Sequence, residues 1–124
     1  MHWLSTAATR AEMKGAGTLL IPSGTSMADA WEISARSLGT TPSELASRLA
    51  PAIKLRAADL ASAESNSARL VPERLARKYG VLPIRETDRQ VVVATSDPEN
   101  FECEQAVGFA SGRRVVFELA PPPR

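Results

Sequence analysis

At 124 residues and 13.3 kDa, with 44% hydrophobic and 23% charged residues, the chain suits one folded domain and excludes wholesale disorder. Lys and Arg total 15 against 14 for Asp and Glu, a net charge of +1, which lacks the basic surplus of a dedicated nucleic-acid binder. Cys103 is the single cysteine, so no intramolecular disulfide is possible and a reducing compartment is the simplest context.

Residues 1–16 (MHWLSTAATRAEMKGA) hold no apolar stretch of the kind a signal peptide needs and little to bury, so a loose N-terminal segment is predicted. No apolar run in the chain approaches the ~20 residues of a membrane-spanning helix. Residues 17–60 are rich in Ala, Leu and Ser at helical spacing and read as a helical subdomain. Ser26 serves as an N-cap with Asp29 in the first turn, Met27, Trp31, Ala35 and Leu38 form the stripe, and Gly39 closes the helix. A second helix opens with Thr41 as cap, Pro42 at the first position and Glu44 completing a capping box. Leu45, Ala46 and Leu49 are its buried side, and Pro51 is expected to end or kink it.

Residues 61–69 are small and polar and read as a linker. Residues 70–120 carry the β-branched runs. Pro72 opens a helix in which Leu75 and Tyr79 share a face, and Gly80 takes its left-handed stop. Residues 81–86 (VLPIRE) form a strand that Pro83 confines to a sheet edge. Thr87–Arg89 turn the chain into the strand Gln90–Thr95. Asp97 is read as the cap of a helix starting at Pro98, with Cys103, Ala106, Val107 and Ala110 on its buried face and Gly112 at its end. Residues 114–119 (RVVFEL) form a last strand, and residues 121–124 are a proline tail. The expected fold class is therefore α+β: two short N-terminal helices plus a helix-strand-strand-helix-strand unit with a three-stranded sheet.

The chemistry-bearing residues are sparse. No Gly-rich loop ends in Gly-Lys-Ser/Thr, so no phosphate cradle of an ATPase is encoded. His2 is the only histidine. Cys103 has no neighbouring histidine in sequence, which supports neither a zinc site nor a Cys-His nucleophile. A non-enzyme without catalytic residues, metal or obligatory cofactor is expected. The basic cluster of Arg69, Arg74, Arg77 and Lys78 is the candidate partner-binding surface, since Arg74, Arg77 and Lys78 fall at three- and four-residue offsets on one helix.

Several elements in this order resemble the N-terminal domain of the ATPases of type II secretion and type IV pilus assembly. They are Val71-Pro-Glu-Arg-Leu-Ala-Arg-Lys-Tyr-Gly80 followed by Val81-Leu-Pro-Ile84, then Ala94-Thr-Ser-Asp-Pro98, then Ser111-Gly-Arg-Arg-Val115. The resemblance spans about residues 17–120. It implies a cytoplasmic docking domain, peripheral at the inner membrane through a partner, that couples a motor in cis or in trans to the cytoplasmic domain of a platform protein. Neither nucleic-acid binding nor direct membrane insertion is expected. Whether the motor lies further along the same polypeptide, on another chain, or nowhere stays open.

Some members of that family bind cyclic di-GMP through motifs beginning Arg-Leu-Gly with a second glycine seven residues on. Gly17 and Gly24 have this spacing, with Leu20 and Ile21 between them and Trp31 following in phase. Gly15-Ala16 stands where the motif has Arg-Leu, which removes the guanidinium best suited to fork onto phosphate oxygens. Leu20, Ile21 and Trp31 are accordingly read as core, and cyclic di-GMP sensing as the alternative function.

Overall fold

The computed structural model describes residues 2–63 and 69–122. Helix begins earlier than the sequence suggests. Trp3–Arg10 form α1, capped by His2, whose Nδ1 accepts the Leu4 amide at 3.1 Å. Trp3, Leu4, Ala7 and Ala8 are buried, so the expectation of a loose segment over residues 1–16 is corrected. The reason is compositional. Ala7 and Ala8, one turn after Trp3 and Leu4, add little hydrophobicity, yet a close-packed interior accepts alanine where helices approach closely.

α2 spans Met27–Ser37 and α3 spans Pro42–Ala52. Their caps are the expected ones: Ser26 accepts the Asp29 amide at 3.1 Å and Thr41 the Glu44 amide at 3.2 Å. The Glu44 carboxylate takes the Thr40 hydroxyl at 2.9 Å rather than closing a full capping box. α3 runs one residue past Pro51. A proline this near a C-terminus forfeits one hydrogen bond, and the end is closed by the Ile53 amide, shared between the Leu49 and Ala50 carbonyls.

α4 (Glu73–Tyr79) ends on Gly80, whose φ of 63° is the left-handed stop. β1 (Leu82–Glu86) runs antiparallel to β2 (Gln90–Thr95), and β2 pairs in parallel with β3 (Arg114–Leu119), giving the order β1-β2-β3. The parallel pair requires a crossover, supplied by α5 (Phe101–Ser111). Pro83 lies on the edge strand as expected. The register slips beside it, passing from Pro83↔Val93 to Arg85↔Val92, and leaves Ile84 as a fully buried bulge residue.

Two expectations for α5 are corrected. Its cap is Asn100, whose Oδ1 accepts the Cys103 amide at 3.0 Å, and not Asp97. Asp97 instead opens a turn: its amide donates to Thr95 Oγ1 and its carbonyl accepts the Asn100 amide. Two good caps three residues apart are indistinguishable until the strand before them fixes where the chain leaves the sheet. The buried stripe is Cys103, Val107 and Ser111, while Ala110 is exposed. Ser111 continues the four-residue spacing of the other two, while Ala110, about 60° from the centre of that stripe, is left at its rim.

Two larger cores result. One joins Trp3, Leu4, Trp31, Leu45 and Leu49 of the helices with Leu119 of β3. The other joins Val91 and Val93 of β2 with Val71, Val81, Cys103 and Val107, flanked by Val115 and Phe117. Residues 56–58 lie along the outer edge of β3: Leu119 N donates to Arg56 O and Ala58 N to Leu119 O, each at 2.8 Å. The architecture is α+β with a three-stranded mixed sheet, as expected, and with α1 added to the helical side.

Candidate functional site

α4 is short, and its inner side is set by Leu75, Ala76 and Tyr79, which pack on the valine core. The opposite side therefore turns Arg74 and Arg77 to solvent. Arg77 pairs with Glu73 one turn earlier at 2.6 Å, a strongly exposed i, i+4 pair that contributes about 0.3–0.5 kcal/mol. Lys78 points toward α5, 3.7 Å from Glu102 and over the Tyr79 ring at 5.2 Å. The Tyr79 hydroxyl donates to the same Glu102 carboxylate at 2.8 Å, which raises its pKa. Arg69 sits apart, 3.9 Å from Glu86, and Glu86 also receives Arg113 at 3.7 Å. Among the described residues Arg74 makes no ion pair. The structure thus brings Arg74 and Arg77 onto one outward face and draws Arg69 and Lys78 to carboxylates on β1 and α5.

Arg77 also borders a mainly apolar cleft of about 480 Å³ between α4, the start of β1 and the end of β2. Ala76, Gly80, Leu82, Ala94 and Ala120 line it.

The glycine-spaced loop is dispersed. Gly17 lies in a 3-10 turn over Ala16–Thr18, where a side chain would meet nothing, while Gly24 holds a φ of 82° that favours glycine. Ile21 packs partly on the helical core, but Leu20 is 82% exposed, which corrects its reading as core. The Ser5 hydroxyl lies 3.5 Å from the Leu19 carbonyl in this segment, and Leu19 is the leucine that turns inward. Trp31 is 1% exposed and its Nε1 donates to the Ser96 carbonyl at 2.8 Å. That indole is a strut between α2 and β2.

Sequence reasoning missed two features. Arg85 on β1 pairs across β2 with Glu118 on β3, a carboxylate on a residue only 5% exposed. Phe101 and Phe109 of α5 are 66% and 93% exposed. Their position opposite Cys103 and Val107 on a helical wheel was a legible signal for the second.

Among the described residues, no group of three or more His, Cys, Asp or Glu side chains is placed to hold a metal ion, and no helix is long and apolar enough to cross a membrane. Cys103 is buried, and desolvation, with Asp97 and Glu104 nearby, pushes its thiol pKa up to about 11.

The fold is that of known domains. It superposes on the N-terminal domain of XpsE with a TM-score of 0.62 at 16% identity, covering 96% of this chain and 85% of that one. A structure of MshE with cdg (cyclic di-GMP) gives a TM-score of 0.67 at 22% identity, covering 98% and 91%. No curated protein matches the chain by sequence. The family model of the MshEN domain matches residues 51–124, from the end of α3 through α4, the whole sheet and α5. With more than half its length matched and the Gly80, Pro83 and Gly112 punctuation in place, the chain belongs to the MshEN domain family, the N-terminal domain of secretion and pilus assembly ATPases.

Proposed function

We propose that this domain is a non-catalytic docking module that couples a secretion or pilus assembly motor, in cis or in trans, to the cytoplasmic domain of an inner-membrane platform protein. The observation that carries this reading is the outward face of α4. Arg74 and Arg77 stand three residues apart on a helix anchored from behind by Leu75 and Tyr79. Arginine suits such a face, because its planar fork recognises carboxylates bidentately and loses little freedom in doing so. An acidic partner surface fits it. The reading needs no cofactor and places the domain in the cytoplasm, at the inner membrane only through its partner.

The platform domain of the same system, immobilised on resin, should retain the chain. Reversal of both charges (Arg74→Glu with Arg77→Glu) should weaken retention by about tenfold or more at low salt. Undiminished binding by the folded double variant removes α4 as the docking face.

Cyclic di-GMP sensing is the second reading, supported by the fold shared with MshE, whose structure includes that ligand. Gly17, Leu20, Ile21, Gly24 and Trp31 would be its residues. The inward Trp31 and the absence of an Arg-Leu pair before Gly17 count against it. Calorimetric titration with cyclic di-GMP separates the readings: docking alone gives no heat, sensing gives a saturable signal.

A further inference from the structure

We propose that the outer face of α5 is a second docking surface, taking an amphipathic helix of another protein whose apolar stripe is flanked by Lys or Arg. This surface adjoins α4 only through Lys78 and Tyr79 at Glu102, and it does not depend on the platform reading.

α5 is apolar on two sides. Cys103 and Val107 face the valine core, while Phe101 and Phe109 point away from it, 66% and 93% exposed. Single exposed apolar residues are ordinary on protein surfaces. These two are eight residues apart on one helical face, about 12 Å along the axis at 1.5 Å per residue, with Gln105 between them. That is a stripe, and a helix apolar on opposite faces is normally covered on both.

The charge around the stripe selects the occupant. Glu102 and Glu104 lie on α5 and Glu99 just before it, all exposed, and the helix carries no Lys or Arg. Of the three, only Glu102 has an ion pair among the described residues, with Lys78. A second copy packed through α5 would set these carboxylates against their own kind. The next arginine in sequence is already engaged, Arg113 being held by the Thr87 and Ser111 carbonyls and by Glu86. An anionic lipid surface would meet the same repulsion. A cationic helix meets neither obstacle: its leucines lie over Phe101 and Phe109, and its Lys or Arg side chains reach Glu99, Glu102 and Glu104. Ridges of i, i+4 side chains from two helices interdigitate in this way.

The test is fluorescence anisotropy of a labelled synthetic peptide of about 18 residues, long enough to form helix on the surface, with Leu along one face and Lys at the flanks. Saturable binding with a Kd of about 10–100 µM at low salt is expected, one helix face being a small interface. Phe109→Ser should weaken it about tenfold, aromatic anchors dominating such contacts. Glu102→Gln with Glu104→Gln should remove most of its salt dependence. Leu20→Ser, another exposed apolar residue, should change nothing. Phe109 touches so little of the fold that an unchanged thermal melt is expected for its variant, which keeps the comparison clean. Absence of binding, equal binding by Phe109→Ser, or equal binding of a peptide with Glu at the flanks overturns the proposal. So does a Phe109-dependent dimer in sedimentation, or Phe109-dependent cosedimentation with anionic vesicles, since each names a different occupant.

Discussion

The indole Nε1 of Trp31 donates to the main-chain carbonyl of Ser96 at 2.8 Å, tying α2 to the end of the central strand across 65 residues of sequence. Trp3 meets the same indole edge-on, with ring centroids 6.1 Å apart. The pair of tryptophans therefore links the helical side of the molecule to the point where β2 turns toward α5. Trp31→Phe keeps most of the apolar bulk but leaves a buried carbonyl without its donor. A loss of about 1–3 kcal/mol is expected, measured as a lower urea midpoint at unchanged slope. A variant as stable as the parent would show that water replaces the indole.

The Arg85–Glu118 pair spans the sheet from edge strand to edge strand, over β2. Removing the cation alone strands a carboxylate on a residue 5% exposed. Arg85→Met should therefore cost about 1–3 kcal/mol, the lower part of the range for buried pairs because the arginine itself is partly solvated. Arg85→Met with Glu118→Leu should recover most of that loss, since a buried ion pair is often no better than apolar packing. Denaturation of the two singles and the double closes the cycle. Additive losses would show that the two side chains are not coupled.

Cys103 is shielded by α5 and the valine core, and its pKa near 11 leaves it almost wholly protonated at neutral pH. The thiolate is the reactive form. The native domain should react with a thiol reagent at pH 8 at least about a hundredfold more slowly than in denaturant. Fast labelling of the native protein would mean that α5 opens from the sheet on the reaction timescale.

Asp97 has its pKa raised, first by burial and further by the charge of Glu99, partly offset by a hydrogen bond from the Glu99 backbone and by His2. The folded state thus holds this proton more tightly than the unfolded chain. Its contribution to stability is fully present below the unfolded pKa of ordinary Asp and is lost as pH rises through the raised folded value. Asp97→Asn should be more stable relative to the parent at pH 7 than at pH 3.5. Thermal melts across that range test it. A stability difference independent of pH would place the effect on hydrogen bonding alone.

Much of this domain is written in short-range signals. Ser26 and Thr41 as caps, Gly80 and Gly112 as left-handed stops, and Pro83 as the mark of an edge strand all act within about four residues along the chain. Such signals specify where elements begin and end whatever covers them. The exception, Asp97 against Asn100, is a choice between two equally good local answers that only the exit of β2 from the sheet resolves. Arg74 and Arg77 were legible for the same reason: helical spacing alone places them together, and Leu75 and Tyr79 mark the side they oppose.

Burial was not legible, because it depends on surfaces far apart in sequence. α1 looks too weak to fold, and becomes core because α2 and α3 pack against it, in one cluster with Leu119. Leu20 looks like core and stays in solvent because its neighbour Leu19 takes the inward position. Residues 56–58 carry no strand pattern, yet they add to β3 because its outer edge offers unpaired main-chain groups. Local sequence signals were enough for the helices and strands from α2 to β3, their order and the α+β class, but not for α1. The tertiary structure alone decided which apolar side chains are covered, which charges meet, and that two phenylalanines of α5 are left facing outward, since a hydrophobic residue records a preference for burial but not the partner that would satisfy it.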